Sequence, residues 1–236
     1  MRRTSSATRT TSTIHKWLAL VLAVPLLFWF GSGLFFAIAP IEQVRGEHVI
    51  AKPVPVAIPL DVAAAGLKRL AGIAGDKIEI KSLLDRPVAV VTIGKERPRL
   101  YELGTARLIS PLPASDAIAI ARRDLVGAPV PVNVAFVTTP SPTYRGVLPA
   151  WQVDFVTDTH RSIFVAADTG AVTARRSTLW RAYDFLWGLH ILDLENREDF
   201  NTVSLTVVVA LSLVLLITGM MLIPGRFGKM RLRKRR

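Results

Sequence analysis

Two stretches of the chain, 18–39 and 203–223, contain no charged residue. At 1.5 Å of rise per helical residue, each is long enough to cross a hydrocarbon core of about 30 Å. Between them the apolar spacing changes character. Ala63, Leu67 and Leu70 fall on one face of a short helix that Asp61 would cap, and alternating runs follow at 78–84, 88–93 and 99–103, which predict strands. The pattern then repeats. Ser115 would cap a helix with Ile118, Ala121 and Leu125 on one face, and strands are predicted at 132–137, 150–156, 162–166 and 171–174.

The two passes can be laid on each other. The helix starts lie 54 positions apart, whereas 99–108 aligns with 163–172 at an offset of 64. The second pass therefore holds about ten extra residues, most simply within 138–149, a turn-rich stretch that reads as a long hairpin loop. Helix-then-meander units cover one face of an antiparallel sheet with a helix, and the other face is expected to be polar or to meet the sister unit. Trp151, Val153 and Phe155 alternate, so all three are expected to face the core. Residues 53–59, with three prolines, read as an extended spacer.

Charge orients this arrangement. Of a net charge of +12, residues 1–16 contribute four basic groups (Arg2, Arg3, Arg9, Lys16) and residues 224–236 contribute seven (Arg226, Lys229, Arg231, Arg233, Lys234, Arg235, Arg236), with no acid in either segment. Basic flanks stay on the cytoplasmic side. The expectation is a two-pass protein of the bacterial inner membrane with both ends cytoplasmic and residues 40–202 in the periplasm. The seven basic groups of the tail are expected to lie against anionic lipid headgroups, at roughly 1 kcal/mol each. The charge is juxtamembrane and not a face of the folded middle, so nucleic acid is not expected as a partner. The sequence Ala37-Ile38-Ala39 resembles a signal cleavage site, but the apolar run exceeds a signal's 7–15 residues and Pro40 would follow the scissile bond, so the first span reads as a retained anchor. Cysteine is absent, which leaves the extracytoplasmic part to be held by packing alone and excludes thiolate metal sites and thiol nucleophiles.

Several segments resemble a known family. Trp151-Gln-Val-Asp-Phe155, Arg161-Ser-Ile-Phe-Val165 and Asp168-Thr-Gly-Ala-Val172 are similar to the PepSY pattern of helix, aromatic-bearing strand, second strand and a D-x-T-G-like turn. Residues 61–108 look like a more degenerate copy. The opening Ile14-His-Lys-Trp-Leu-Ala-Leu20, and Leu186-Trp-Gly-Leu-His-Ile-Leu-Asp193 followed by Arg197-Glu-Asp-Phe-Asn201, resemble the histidine-bearing flanks of PepSY-associated membrane proteins. The resemblance covers nearly the whole chain, although many such proteins have four spans and this one has two. It implies a membrane α+β protein in which two transmembrane helices flank two helix-plus-antiparallel-sheet repeats. The expected boundaries are 1–16 for the cytoplasmic N-terminus, 17–39 for the first span, 40–60 for a linker, 61–112 and 113–179 for the two PepSY-like units, 180–202 for an interfacial segment, 203–223 for the second span and 224–236 for the basic tail.

Of four histidines, His15 stands at the inner mouth of the first span and His190 before the second. Both fit an interfacial reading, with ring in the headgroups and polar tip in water. Some family members resemble haem-bearing ferric-siderophore reductases, and His15 and His190 match the family's histidine motifs, so the resemblance implies these two as haem b ligands. The span separates them by roughly 30 Å, so one haem cannot take both from one chain; two chains could pair His15 with His15 and His190 with His190. His48 and His160 read as exposed polar residues, and no metal site is expected. Asp193, Glu195, Glu198 and Asp199 read as a solvated segment, and the aromatics Trp180, Tyr183, Phe185 and Trp187 as a belt on a helix lying at the outer interface.

The chain has no Gly-rich phosphate loop, G-x-S-x-G elbow or H-E-x-x-H motif, and no catalytic residue is expected. The first functional expectation is a non-enzymatic inner-membrane protein without cofactor, which presents its PepSY-like domain as a binding or regulatory module to another envelope protein. The alternative is a haem-binding electron-transfer subunit in iron acquisition.

Overall fold

The structure is a computed structural model that describes residues 6–52, 56–156 and 159–233, apart from the side chains of 225–233. It divides inside one helix into two compact units, residues 40–182 and, together, 1–39 with 183–236.

The 40–182 unit holds two antiparallel sheets. Helix α3 (Leu60–Arg69) precedes β1 (Lys77–Leu83), β2 (Arg86–Thr92) and β3 (Arg99–Glu102); helix α4 (Ala114–Asp124) precedes β4 (Pro131–Val137), β5 (Ala150–Val156), β6 (His160–Ala166) and β7 (Val172–Ser177). Each sheet is a simple meander, ordered β1-β2-β3 and β4-β5-β6-β7. The expected N-caps Asp61 and Ser115 are displaced. The caps lie two residues earlier, at Pro59 and Pro113, and neither makes a side-chain bond. Asp61 and Asp116 instead sit in the first turns, where a carboxylate complements the positive end of the helix dipole.

The repeat is carried into backbone detail. β4 starts 54 positions after β1, and β5 starts 64 after β2, so the ten additional residues lie in the β4–β5 connection. In the first unit that connection is a two-residue turn with Leu84 and Asp85 both in the left-handed region, the geometry that matches strand twist. At an offset of 64, the Tyr101–Leu108 bridge superposes on the Val165–Val172 pair. Ala106 N–H donates to Glu102 O as Gly170 N–H does to Ala166 O, both at 2.8 Å. Both residues have positive φ, 58° and 69°. Glycine at 170 meets a second demand, because a Cβ there would lie 2.8 Å from Leu83.

One core joins the repeats. Leu83, Val88, Val90 and Leu100 of the first unit cluster with Ala117, Ile120 and Ala121 of α4 and with Val153, Phe155, Ile163 and Val165 of the second sheet. Trp151 packs on this cluster beside Val153 and Phe155, and its Nε1–H donates to Leu112 O at 2.8 Å. The reverse face of the first sheet is also apolar. Ala89, Val91, Tyr101 and Leu103 gather with Leu70, and Gly66 lets α3 approach Leu103 so closely that a Cβ would lie 2.5 Å away.

The reverse face of the second sheet is divided. One part is polar, as expected, with Asn133 and Gln152 donating to Asp154 and Ser162 opposite it; over the rest the β4–β5 loop folds back on the sheet. Tyr144 is fully buried and stacks on Phe164 with ring centroids 4.2 Å apart. Its hydroxyl donates to Val147 O and shares a 2.7 Å bond with Thr173.

Within 40–60, α2 (Ile41–Arg45) and a 3-10 turn, Glu47–Val49, form a folded strap: Val44 is buried, Ala51 N–H donates to Asp124 O, and Val126 N–H donates to Val49 O. Of the expected spacer 53–59, residues 53–55 lie outside the described residues and 56–59 have no regular structure.

In the other unit, α1 (Ser6–Ile38) and α6 (Val203–Arg233) pack together, and α5 (Thr178–His190) enters from Tyr183 onward. Both long helices are long and apolar enough to cross a membrane, over Ser6–Ile38 and Val203–Pro224. They run antiparallel, with His15 beside Leu215 and Thr218, and Val24 and Trp29 beside Leu205 and Val208. α6 continues helical through Pro224, although proline removes one backbone bond, and includes much of the basic tail. The side chains of Arg226, Lys229, Arg231 and Arg233, and residues Lys234, Arg235 and Arg236 entirely, lie outside the described residues.

Candidate functional site

The helices are staggered. α6 begins level with the Phe28–Trp29 region of α1, so the last turns of α1 extend past it, and α5 fills the gap. Tyr183 meets Phe35 and Phe36, Trp187 meets Phe36, and His190 meets Trp29 and Phe36. As α5 advances its partners on α1 move backwards in sequence, so this part of α5 runs antiparallel along α1. Of the four aromatics read as an interfacial belt, Tyr183 and Trp187 pack against α1, Phe185 is exposed and Trp180 lies under the Arg176 guanidinium. His190 meets α1 at Ser32, six residues before the helix ends at Ile38, or about 9 Å of helix rise.

A folded turn fixes the end of α5. The Asp193 carboxylate accepts the backbone N–H groups of Asn196, Glu198 and Asp199 at 3.0, 3.0 and 3.1 Å. Asp199 and Glu198 contribute most to holding its pKa below the ordinary carboxylate range. Arg197 folds back across α5 to pair with Asp184, over the space left by Gly188, where a Cβ would lie 2.6 Å from Arg197 Cγ. The segment expected to be merely solvated is therefore organised around Asp193 and Arg197.

The two histidines are bound in the same way. His190 Nδ1 lies 2.8 Å from Ser32 Oγ, and that hydroxyl lies 2.7 Å from Phe28 O. A hydroxyl has one proton. With that proton on its own helix, where Phe28 O and Trp29 O lie 2.7 and 3.1 Å away, the donor in the pair is His190 Nδ1–H. His15 Nδ1 lies 3.1 Å from Thr218 Oγ1 and 3.2 Å from Leu215 O. The carbonyl can only accept, and Thr218 donates to Val214 O or Leu215 O, both at 2.9 Å, so His15 Nδ1–H donates as well. Among the described residues the hydrogen bonds of both rings to Ser32, Thr218 and Leu215 are made at Nδ1, which leaves Nε2 on the far edge of the ring. A glycine follows each hydroxyl. A Cβ at Gly219 would lie 3.1 Å from His15 Cε1, and one at Gly33 would lie 3.8 Å from His190 Cε1.

Both rings border apolar space. His190 lines a hollow of about 160 Å³ with Val24, Phe28, Trp29 and Leu205. His15 lines an open groove of about 560 Å³ with Trp29, Phe30, Leu216 and Met220. Trp29 borders both, and its Nε1–H is buried with no partner among the described residues. His48 and His160 are exposed, as read from the sequence.

A family model described as PepSY-associated TM region matches residues 12–236. The chain belongs to this family. No curated protein and no solved structure matches it. Membership makes it a PepSY-associated membrane protein, and its two apolar helices around an α+β middle are the architecture read from the sequence. In this PepSY-associated TM protein the two histidines of the flanking motifs were legible, whereas their partners Ser32 and Thr218 were not. Sequence spacing held no signal for the pairing, because each meets its histidine across more than 150 residues.

Proposed function

We propose that this protein is a haem-binding electron-transfer subunit of the bacterial inner membrane, ligating haem through His15 and His190 and acting in iron acquisition, with its PepSY-like units carried in the periplasm and both termini in the cytoplasm. The observation that carries the reading is the matched pair of imidazoles, each with Nδ1–H bound, Nε2 on the far edge of the ring and apolar space beside it. Neutral imidazole with its second nitrogen held by a hydrogen bond is the form that ligates iron. The residues present fit haem in donor chemistry and in the apolar lining, with the larger opening, about 560 Å³, beside His15. When bound, haem supplies reversible one-electron exchange; the chain's own residues hold the ring nitrogens and keep the surroundings apolar. Each site offers one imidazole per chain. A homodimer pairing His15 with His15 and His190 with His190 would complete both, and the basic tail would hold anionic lipid headgroups.

The test is an absorption spectrum of the full chain, expressed with ample haem and purified in detergent. A Soret band that shifts on adding dithionite is expected. A colourless preparation overturns the reading.

A second reading is favoured by a separate observation. The 40–182 unit is a self-contained fold whose edge strand β4 exposes Val132 and Phe136. An exposed edge can take an additional strand from a partner. On this reading the protein presents a binding or regulatory module to another envelope protein, without catalysis or cofactor. Copurification of one partner at fixed ratio by a colourless protein would favour it.

A further inference from the structure

Ser32 and Thr218 lie on different spans, yet each does the same two things. Each sets its hydroxyl on a carbonyl one turn back on its own helix and meets Nδ1 of a histidine from another helix; at Thr218 the glycine that follows also lets the imidazole lie against the backbone.

The proton count decides the chemistry. A hydroxyl free to rotate could donate to a bare Nδ1 and leave the proton on Nε2, which would then be unable to ligate. Here each hydroxyl lies within 2.7–3.1 Å of two carbonyls of its own helix, which draws its hydrogen there and leaves a lone pair facing the ring. The neutral imidazole must place its one proton on Nδ1. At His15 the Leu215 carbonyl, an acceptor only, makes the same demand a second time.

We propose that Ser32 and Thr218 are positioning residues that set the tautomer of His190 and His15, presenting Nε2 as the ligating atom at both ends of the membrane unit. The inference rests on the haem reading for the identity of the ligand, but the tautomer belongs to the ligand-free protein.

The experiment uses the full chain in lipid nanodiscs, without haem, with histidine labelled in ¹⁵N. The four histidines are assigned by single His→Gln variants, and ring ¹⁵N shifts distinguish protonated from bare nitrogen. His15 and His190 should each show a protonated Nδ1 and a bare Nε2. Ser32→Ala should mix the tautomers of His190 alone, and Ser32→Thr should restore it. Thr218→Val should disturb His15 alone, and less, because the Leu215 carbonyl remains; Thr218→Ser should restore it. In haemin titrations Ser32→Ala should weaken binding at its own site about 10–100-fold, the usual effect of removing a partner behind a ligating histidine. Protonated Nε2 at either histidine of the wild type overturns the proposal. So do unchanged tautomers and unchanged haemin affinity in both hydroxyl-deleted variants. A wild type that takes no haemin, yet shows both bare Nε2 atoms responding to the hydroxyl variants, sinks the haem reading and supports the positioning role.

Discussion

Arg97 grips Asp168 through two hydrogen bonds, Nε to Oδ2 at 2.7 Å and Nη2 to Oδ1 at 2.8 Å. Asp168 opens the D-T-G turn of the second repeat and is buried, while Arg97 comes from the β2–β3 loop of the first. The pair therefore clips the repeats together outside their shared core. Arg97→Ala would leave a buried carboxylate without its cation. Because the arginine is largely exposed, the expected loss is modest, about 1–2 kcal/mol. It should appear as lower thermal stability of the full chain in detergent, and Arg97→Lys, which lacks the bidentate fork, should recover only part of it.

Tyr144 anchors the β4–β5 loop on Phe164. Tyr144→Ala should cost about 3–5 kcal/mol through lost packing, and Tyr144→Phe about 1 kcal/mol through its hydroxyl bonds. Thermal melts of the two variants should rank in that order; equal melts would mean that the loop does not cover the sheet.

Trp151 combines packing with a hydrogen bond to Leu112 O. Its replacement by Ala should destabilise by about 3–5 kcal/mol. Its indole fluorescence should be quenched weakly by added iodide, since the ring is packed on the core.

The turn around Asp193 should depend on pH. Backbone N–H groups favour its charged form, so its folded pKa lies below the unfolded value of about 3.9. The stabilisation is present in full above that value and disappears as pH falls through the folded pKa. Hydrogen exchange at the amides of Glu198 and Asp199 should accelerate below about pH 4, beyond the intrinsic rate change. Asp193→Asn should remove the acid-dependent step. A step of undiminished size in that variant would assign it to another carboxyl group.

The proposed topology predicts that a reporter active only in the periplasm is silent when fused after Arg236 and active when inserted after Gly127. Gly127 lies in an exposed turn where a Cβ would meet open space, whereas the 138–149 loop is unsuitable because Tyr144 is packed beneath it. The reverse pair of signals would invert the protein in the membrane.

The two spans, the strands, the twofold repeat and its ten-residue insertion were all legible in the chain, because each is written in local periodicity and spacing. Burial of alternate residues along a strand, or absence of charge over a span, needs no knowledge of what lies opposite. The positions of His15 and His190 were legible too, through the flanking motifs, and so was the exposure of His48 and His160. Tertiary structure alone decided what each ring touches. Ser32 meets His190, and Thr218 meets His15, only because α1 and α6 are staggered and α5 runs along the uncovered end of α1, and a stagger is a property of interdigitating side chains on two helices rather than of either sequence. The same holds for Arg97 with Asp168, and for a loop that looked like a surface excursion until Tyr144 was seen beneath it. A hydrogen bond between residues distant in the chain depends on the path between them, which packing selects from many that the local pattern permits.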